Sequence, residues 1–223
     1  MSYSKVGIEK SKVKRKNFPG SYLFLYILLT RQVMFKSEQH RYLQRSLPLV
    51  VLTGFRATGK TAVGRILAKL LDYRFIDTDE VITGRLGCSI AESVGRDGWQ
   101  PFRDLEQEVL GELTAEKNAV IATGGGAVLH RKTWQKLYDQ AFVIWLRTDV
   151  ATILSRLGAD KKTALQRPSL SGQDQETEIH ALLAKREPMY RAGADMILDT
   201  KNRTPKALAA TIFRQLKTYS TCK

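Results

Sequence analysis

Eight residues, Gly54-Phe55-Arg56-Ala57-Thr58-Gly59-Lys60-Thr61, constrain this chain more than any other stretch. They fit the spacing G-x-x-x-x-G-K-[ST] and follow the apolar run Leu47-Pro48-Leu49-Val50-Val51-Leu52-Thr53, the pattern of a strand covered on both faces. Ala62 to Leu71 then carries apolar residues at helical spacing. Strand, glycine loop and helix in that order form the context in which this spacing cradles phosphates. Glycines at 54 and 59 let the backbone turn tightly and bring its N–H groups to phosphate oxygens. A helix starting near Lys60 adds unpaired N–H groups and the positive end of its dipole. Lys60 brings a mobile point charge to the outer phosphates, and the Thr61 hydroxyl is placed to ligate Mg²⁺. Gly54, Ala57, Thr58, Gly59, Lys60, Thr61 and Ala62 are therefore the candidate nucleotide contacts. The alternative, a chance glycine-rich turn, does not account for the strand before it and the helix after it.

At 223 residues and 43% hydrophobic, the chain is long enough to bury one substantial core as a single domain. Its two cysteines, Cys88 and Cys222, fit no metal or redox spacing and point to a reducing compartment. The net charge of +14 is unevenly spread. Residues 1–46 hold ten basic and two acidic side chains, leaving 26 basic and 20 acidic for 47–223. The remaining excess suits a domain that binds polyanionic nucleotide and an acidic small molecule. No interleaved aromatic and basic motif argues for nucleic acid.

Residues 1–46 read as a basic N-terminal extension to a domain spanning 47–223. Lys10 to Lys16 is a basic cluster, Pro19-Gly20 breaks the chain, and Ser21 to Leu29 is apolar. That run is too short for a bilayer span, which needs ~20 residues. No small-residue cleavage site follows it, as a signal peptide would require, and a transit peptide would be richer in arginine. The expectation is a poorly ordered appendage, with Met34 an in-frame start nearer the core. An intact mass matching Met1 onward would reject that alternative start.

Further along, Tyr73 to Ile76 reads as a short strand ending in Asp77-Thr78-Asp79. Carboxylates at the carboxyl end of a parallel strand face the crevice where open α/β sheets bind ligands. Strand alternation would put Asp77 and Asp79 on one side, converging on the glycine loop. Asp77 then suits Mg²⁺ and Asp79 a substrate hydroxyl; alternatively, one of them caps a helix beginning near Glu80. A short helix over Ser89–Gly95 precedes a long one opening at Trp99, with Phe102, Leu105, Val109 and Leu110 on its apolar face. Arg103 and Glu106 in that helix stand at i,i+3, where a surface pair contributes a few tenths of a kcal/mol.

Ala119 to Thr123 is a second buried strand, and Gly124-Gly125-Gly126 follows it directly. Three successive glycines cost about 1 kcal/mol each against alanine, so a ligand approaching bare backbone is the expected reason for them. Phe142 to Leu146 is a third apolar run, ending in Arg147-Thr148-Asp149, with a helix over Val150–Leu157 after it. The polar segment Gly158 to Gln173, containing Lys161, Lys162, Arg167-Pro168 and Gly172, reads either as a flap that closes over phosphates or as a solvated loop. A helix over Thr177–Tyr190, a strand over Asp195–Asp199 and a helix over Pro205–Leu216 complete the chain. His40, His130 and His180 are isolated, and none is given a catalytic role.

With these pieces placed, Leu47 to Leu216 resembles the shikimate kinase family. The resemblance rests on GFRATGKT, FIDTDE, FRDLE, ATGGGAV, QRPSL and KREPMY, in the family's order. It implies an α/β three-layer sandwich on a five-stranded parallel sheet, a P-loop kinase fold of the nucleoside-monophosphate-kinase-like group with a mobile lid. The implied reaction is ATP-dependent phosphorylation of the 3-hydroxyl of shikimate, with Mg²⁺. Carried over by motif, Lys60, Asp79 and Arg167 are the catalytic residues, and Thr61 and Asp77 hold the metal. Asp79, Arg103, Gly124, Gly125, Gly126 and Arg186 bind shikimate, while Arg167 and Arg203 join the glycine loop in binding ATP. Two arginines suit a carboxylate through charge-assisted hydrogen bonds. The implied partner is the small-molecule substrate, with no nucleic acid and no membrane, in a cytoplasmic monomer. Three features depart from the family pattern: a lid longer than in its shortest members, Ser169 after the Arg-Pro pair, and the 46-residue extension. The rivals are a related small-molecule kinase such as one for gluconate, and a catalytically silent P-loop module.

Overall fold

The computed structural model describes residues 49–159 and 175–221. The extension expected over 1–46 and most of the expected lid, Arg167 included, lie outside them. Five strands, β1 (Leu49–Thr53), β2 (Arg74–Asp77), β3 (Ala119–Ala122), β4 (Phe142–Arg147) and β5 (Met196–Asp199), form one sheet in the order β2-β3-β1-β4-β5. Every pairing is parallel, with Val51 opposite Ile121 on one side and Val143 on the other. All five residues of β1 are buried, as a central strand covered on both faces requires. Helices α1 (Lys60–Leu71), α2 (Thr78–Leu86), α3 (Ile90–Asp97), α4 (Trp99–Glu112), α5 (Arg131–Gln140), α6 (Val150–Ala159), α7 (Gln175–Ala192) and α8 (Pro205–Thr221) make the outer layers.

Alternation along the strands sends side chains into two different cores. On one face Leu49, Val51, Ile121, Val143 and Trp145 pack with Phe102 and Leu110 of α4, Leu137 of α5 and Tyr190 of α7. On the other, α1 lies so close to the sheet that a Cβ on Gly64 would meet the Phe75 ring at 2.5 Å and Leu52 Cδ1 at 3.2 Å. Helix α8 packs against α1. Because β1 has β3 on one side and β4 on the other, the chain winds in opposite directions from it. The crevice at the carboxyl ends of β1 and β3 is thus a topological switch point, where such sheets bind ligands.

Beyond shifts of a few residues at element ends, three features differ from the sequence expectation. β2 ends at Asp77 and α2 begins at Thr78, because the Asp77 carboxylate caps that helix by accepting from the Asp79 backbone N–H at 3.0 Å. Strand alternation therefore does not relate Asp77 to Asp79; Asp79 sits in the first turn of a helix. Gly158, read as the start of the lid, lies inside α6. Helix α5 was not anticipated, since beyond Trp134, Leu137 and the half-buried Tyr138 it is polar.

Candidate active site

The loop between β1 and α1 is shaped by two glycines for different reasons. Gly54 has φ 137°, and a Cβ there would stand 2.3 Å from the Leu146 carbonyl oxygen of β4. No other residue fits. Gly59, at φ 92°, turns the chain into α1 with open space around its α-carbon. Ala57 takes the left-handed conformation at φ 60°. Thr58 closes the loop by donating to the Phe55 carbonyl at 2.8 Å. Lys60 Nζ donates to the carbonyls of Gly54 at 3.0 Å and Phe55 at 2.8 Å, so its ammonium lies over the loop. The N-terminus of α1 and this ammonium lie side by side, an arrangement that can hold an anion.

Beside it, the Thr61 hydroxyl donates to Asp77 Oδ2 at 2.7 Å. Burial pushes the Asp77 carboxyl above its ordinary range; the Thr61 bond opposes this, while the neighbouring Asp79 and Glu80 charges add to it. A hydroxyl and a crowded carboxylate are hard oxygen ligands, and a cation there would relieve the like-charge contact. The pair fits Mg²⁺. Among the described residues no group of three His, Cys, Asp or Glu forms a metal cluster. Phosphate oxygens and water would therefore have to complete the coordination, as Mg²⁺ usually demands.

The triglycine segment runs from the phosphate site to two arginines, Arg186 and Arg103. Thr123 N–H donates to the Leu52 carbonyl at 3.0 Å, and Gly124 N–H to the Thr78 hydroxyl at 2.8 Å. A Cβ on Gly125 would rest 3.5 Å from the Gly54 oxygen and 3.6 Å from the Arg56 nitrogen, so the two loops lie against each other. The Gly125 carbonyl accepts from Arg186 Nη1 at 3.2 Å and from the Tyr190 hydroxyl at 2.5 Å, both reaching in from α7. Arg186 is 7% exposed and lies over the Phe55 ring at 5.9 Å. On the other side, Arg103 of α4 fills the space over Gly126. A Cβ on that glycine would fall 2.1 Å from Arg103 Nη1. The Gly126 space thus goes to a protein side chain, where the sequence alone pointed to a ligand.

Arg103 is held on three sides. Its Cζ lies 5.2 Å from the Trp99 ring centroid and 5.1 Å from that of Phe102, and its Nη1 donates to Glu106 Oε2 at 2.5 Å. The pairing is no surface ornament, because Glu106 is 1% exposed. Burial pushes the Glu106 carboxyl up, but hydrogen bonding from His130 and the charge and hydrogen bond of Arg103 outweigh it and hold it below its ordinary value. His130 Nε2 meets the same Glu106 oxygen at 2.9 Å. A planar guanidinium offers five N–H groups, so both Arg103 and Arg186 keep donors beyond the bonds described. They suit a small acidic ligand.

Arg203 donates to the Thr211 hydroxyl of α8 at 2.8 Å. It is tied to the phosphate loop indirectly. Its backbone N–H reaches the Thr200 carbonyl at 3.4 Å, and Arg156 of α6 donates to Thr200 and, at 3.1 Å, to the Ala57 carbonyl. The structure thus brings Lys60, Thr61, Asp77, Asp79, Arg103, the three glycines and Arg186 to one end of the sheet. Sequence reasoning did not single out Glu106, His130, Tyr190 or Arg156. Tyr190 lies four residues after Arg186, on the same helical face, which was the one available signal.

A family model described as shikimate kinase matches residues 56–217. The shikimate kinase of Oleidesulfovibrio alaskensis is 43% identical over 150 residues, which is 67% of this chain and 87% of that protein. That of Moorella thermoacetica is 41% identical over 170 residues, 76% of this chain and 95% of its own length. Among solved structures, shikimate kinase from Acinetobacter baumannii in complex with shikimate has a TM-score of 0.72 at 35% identity, covering 80% of this chain and 97% of that one.

Proposed function

The chain belongs to the shikimate kinase family, and from that premise we propose that it transfers the γ-phosphoryl group of ATP to the 3-hydroxyl of shikimate at this end of the sheet, giving shikimate 3-phosphate and ADP. The observation that carries the proposal is the contact between the two glycine loops. One carries Lys60 and the N-terminus of α1; the other accepts a hydrogen bond from Arg186 and has Arg103 over Gly126.

In this reading the loop from Gly54 to Ala62 holds the triphosphate by backbone N–H groups. Lys60 leaves its own loop carbonyls for the outer phosphates, a low-cost exchange because it trades one set of oxygens for another. Thr61 and Asp77 would hold Mg²⁺, which supplies charge neutralisation between the outer phosphates. Arg103 and Arg186 read the shikimate carboxylate, and Asp79 accepts from ring hydroxyls and turns the 3-oxygen toward the phosphoryl group. The 3-oxygen forms its bond to phosphorus as the bond between phosphorus and the bridging oxygen of the departing ADP breaks. The hydroxyl proton passes to the Asp79 carboxylate that accepts its hydrogen bond and from there to solvent. Phosphoryl transfer depends mainly on such positioning and on neutralising the spreading charge. By motif, Arg167 adds a lid cation at the transferred group and Arg203 borders the adenine.

The same reading takes the protein as a cytoplasmic monomer; cell fractionation and light scattering test those two points. Among the described residues no helix is long and apolar enough to cross a membrane. ADP formation measured with shikimate, with gluconate and without acceptor tests the function. Turnover restricted to shikimate supports it. Preference for gluconate, or nucleotide binding without turnover, overturns it.

A further inference from the structure

We propose that His130 is a positioning residue for acceptor recognition: through Glu106 it fixes the Arg103 guanidinium in the orientation that receives the acceptor carboxylate. The proposal rests on the reading of Arg103 given above. Its observation is one oxygen with two donors, Glu106 Oε2, which Arg103 Nη1 approaches at 2.5 Å and His130 Nε2 at 2.9 Å. An ionised carboxylate has no proton to give, so the proton in the second bond belongs to His130 Nε2.

Arg103 and Glu106 lie on one helix, three residues apart, and two long side chains so paired share a swivel that neither removes. His130 reaches Glu106 from a different element and removes it. The carboxylate is 1% exposed and the imidazole 9%, so the strut is closed off from bulk water. His130 is also rigidly joined to the triglycine loop. Leu129 N–H donates to the Gly126 carbonyl at 2.9 Å and His130 N–H to the Ala127 carbonyl at 3.2 Å, and the His130 carbonyl accepts from Trp134 N–H at 2.8 Å in the first turn of α5. One continuous segment therefore supplies Gly125 to the site, seats Arg103 over Gly126, and sets Arg103's rotation through His130.

The test compares wild type, His130→Ala and His130→Gln, whose side-chain amide can return a donor to Glu106. Each is assayed with shikimate and with its analogue lacking the carboxylate. In His130→Ala the KM for shikimate should rise on the order of tenfold, the effect of losing one hydrogen bond to a charged group. kcat and the KM for ATP should stay within about twofold, and His130→Gln should recover most of the loss. The KM for the analogue should not move, because no carboxylate is left for Arg103 to read. An unchanged shikimate KM, a parallel rise for ATP or the analogue, or no recovery in a folded His130→Gln would each overturn the proposal. If His130→Ala does not fold, a melting curve reveals it, and a shikimate KM in His130→Gln more than threefold above wild type then overturns the proposal, while one within threefold supports it. Failure of the wild type to turn over shikimate would instead count against the proposed function.

Discussion

Replacing Gly126 by alanine adds a single methyl group where Arg103 already stands. The backbone there, at φ −93° and ψ −9°, is open to any residue, so the substitution brings no conformational strain. Its methyl carbon would fall 2.1 Å from Arg103 Nη1, 2.9 Å from Cζ and 3.2 Å from Nη2. A normal contact needs roughly 3.5 Å, so the guanidinium must retreat by on the order of 1.4 Å. Arginine has the rotatable bonds to yield, so the protein should still fold, with its melting temperature lowered by a few degrees because the buried Glu106 carboxylate loses one of its partners. The displaced group, however, leaves both Glu106 and the place where a carboxylate would be met. Losing one hydrogen bond between charged groups costs about 1.5–3 kcal/mol, or roughly a 10- to 150-fold rise in the KM for shikimate. The KM for ATP should stay within about twofold. The assay is coupled ADP release at varied shikimate, beside a thermal melt of the same preparation. A folded Gly126→Ala enzyme with a wild-type shikimate KM would refute the assignment of Arg103 to the acceptor.

Three further substitutions probe other parts of the account. Lys60→Ala should lower kcat by at least roughly a hundredfold, since a charge aimed at the developing transition state is lost; near-normal turnover would remove Lys60 from the mechanism. Gly54→Ala should prevent folding or lower the melting temperature steeply, because its Cβ would lie 2.3 Å from backbone at φ 137°, and nothing flexible can yield. Glu106→Gln tests a sign. The folded carboxyl is held below its ordinary value of 4.5, so its ionised form stabilises the fold above that pH and the benefit fades as pH falls through the folded value. The melting-temperature advantage of wild type over Glu106→Gln should therefore be full near neutrality and shrink in acid; a gap that widens in acid would contradict the assigned shift.

The sheet was largely legible in the sequence because its three inner strands, β1, β3 and β4, are covered on both faces and leave apolar runs. The partly exposed edge strands β2 and β5 left shorter runs of Phe75-Ile76 and Met196-Ile197-Leu198. All five runs became strands, at β1 through β5. Helix α5 escaped because its apolar stripe is one turn long, Trp134, Leu137 and Tyr138, in an otherwise polar ten-residue segment. The error over Asp77 and Asp79 came from extending strand periodicity past a capping residue: once Asp77 accepts from the next turn, the period changes from 2 to 3.6. Glu106 looked like half of a surface pair because i,i+3 spacing says nothing about what covers the helix. It is buried, and its partner His130 lies 24 residues away, joined to it only by the fold. Arg156, tying Ala57 to Thr200, belongs to no motif and was visible only in coordinates.

The most direct test of the shared site is a crystal structure of the protein with shikimate, Mg²⁺ and a non-hydrolysable ATP analogue. The account predicts the shikimate carboxylate between Arg103 and Arg186, its 3-hydroxyl beside Asp79 and turned toward the γ-phosphate, and Lys60 shifted from the Gly54 and Phe55 carbonyls onto the phosphates. Shikimate bound elsewhere, or seated with its carboxylate away from both arginines, would contradict it.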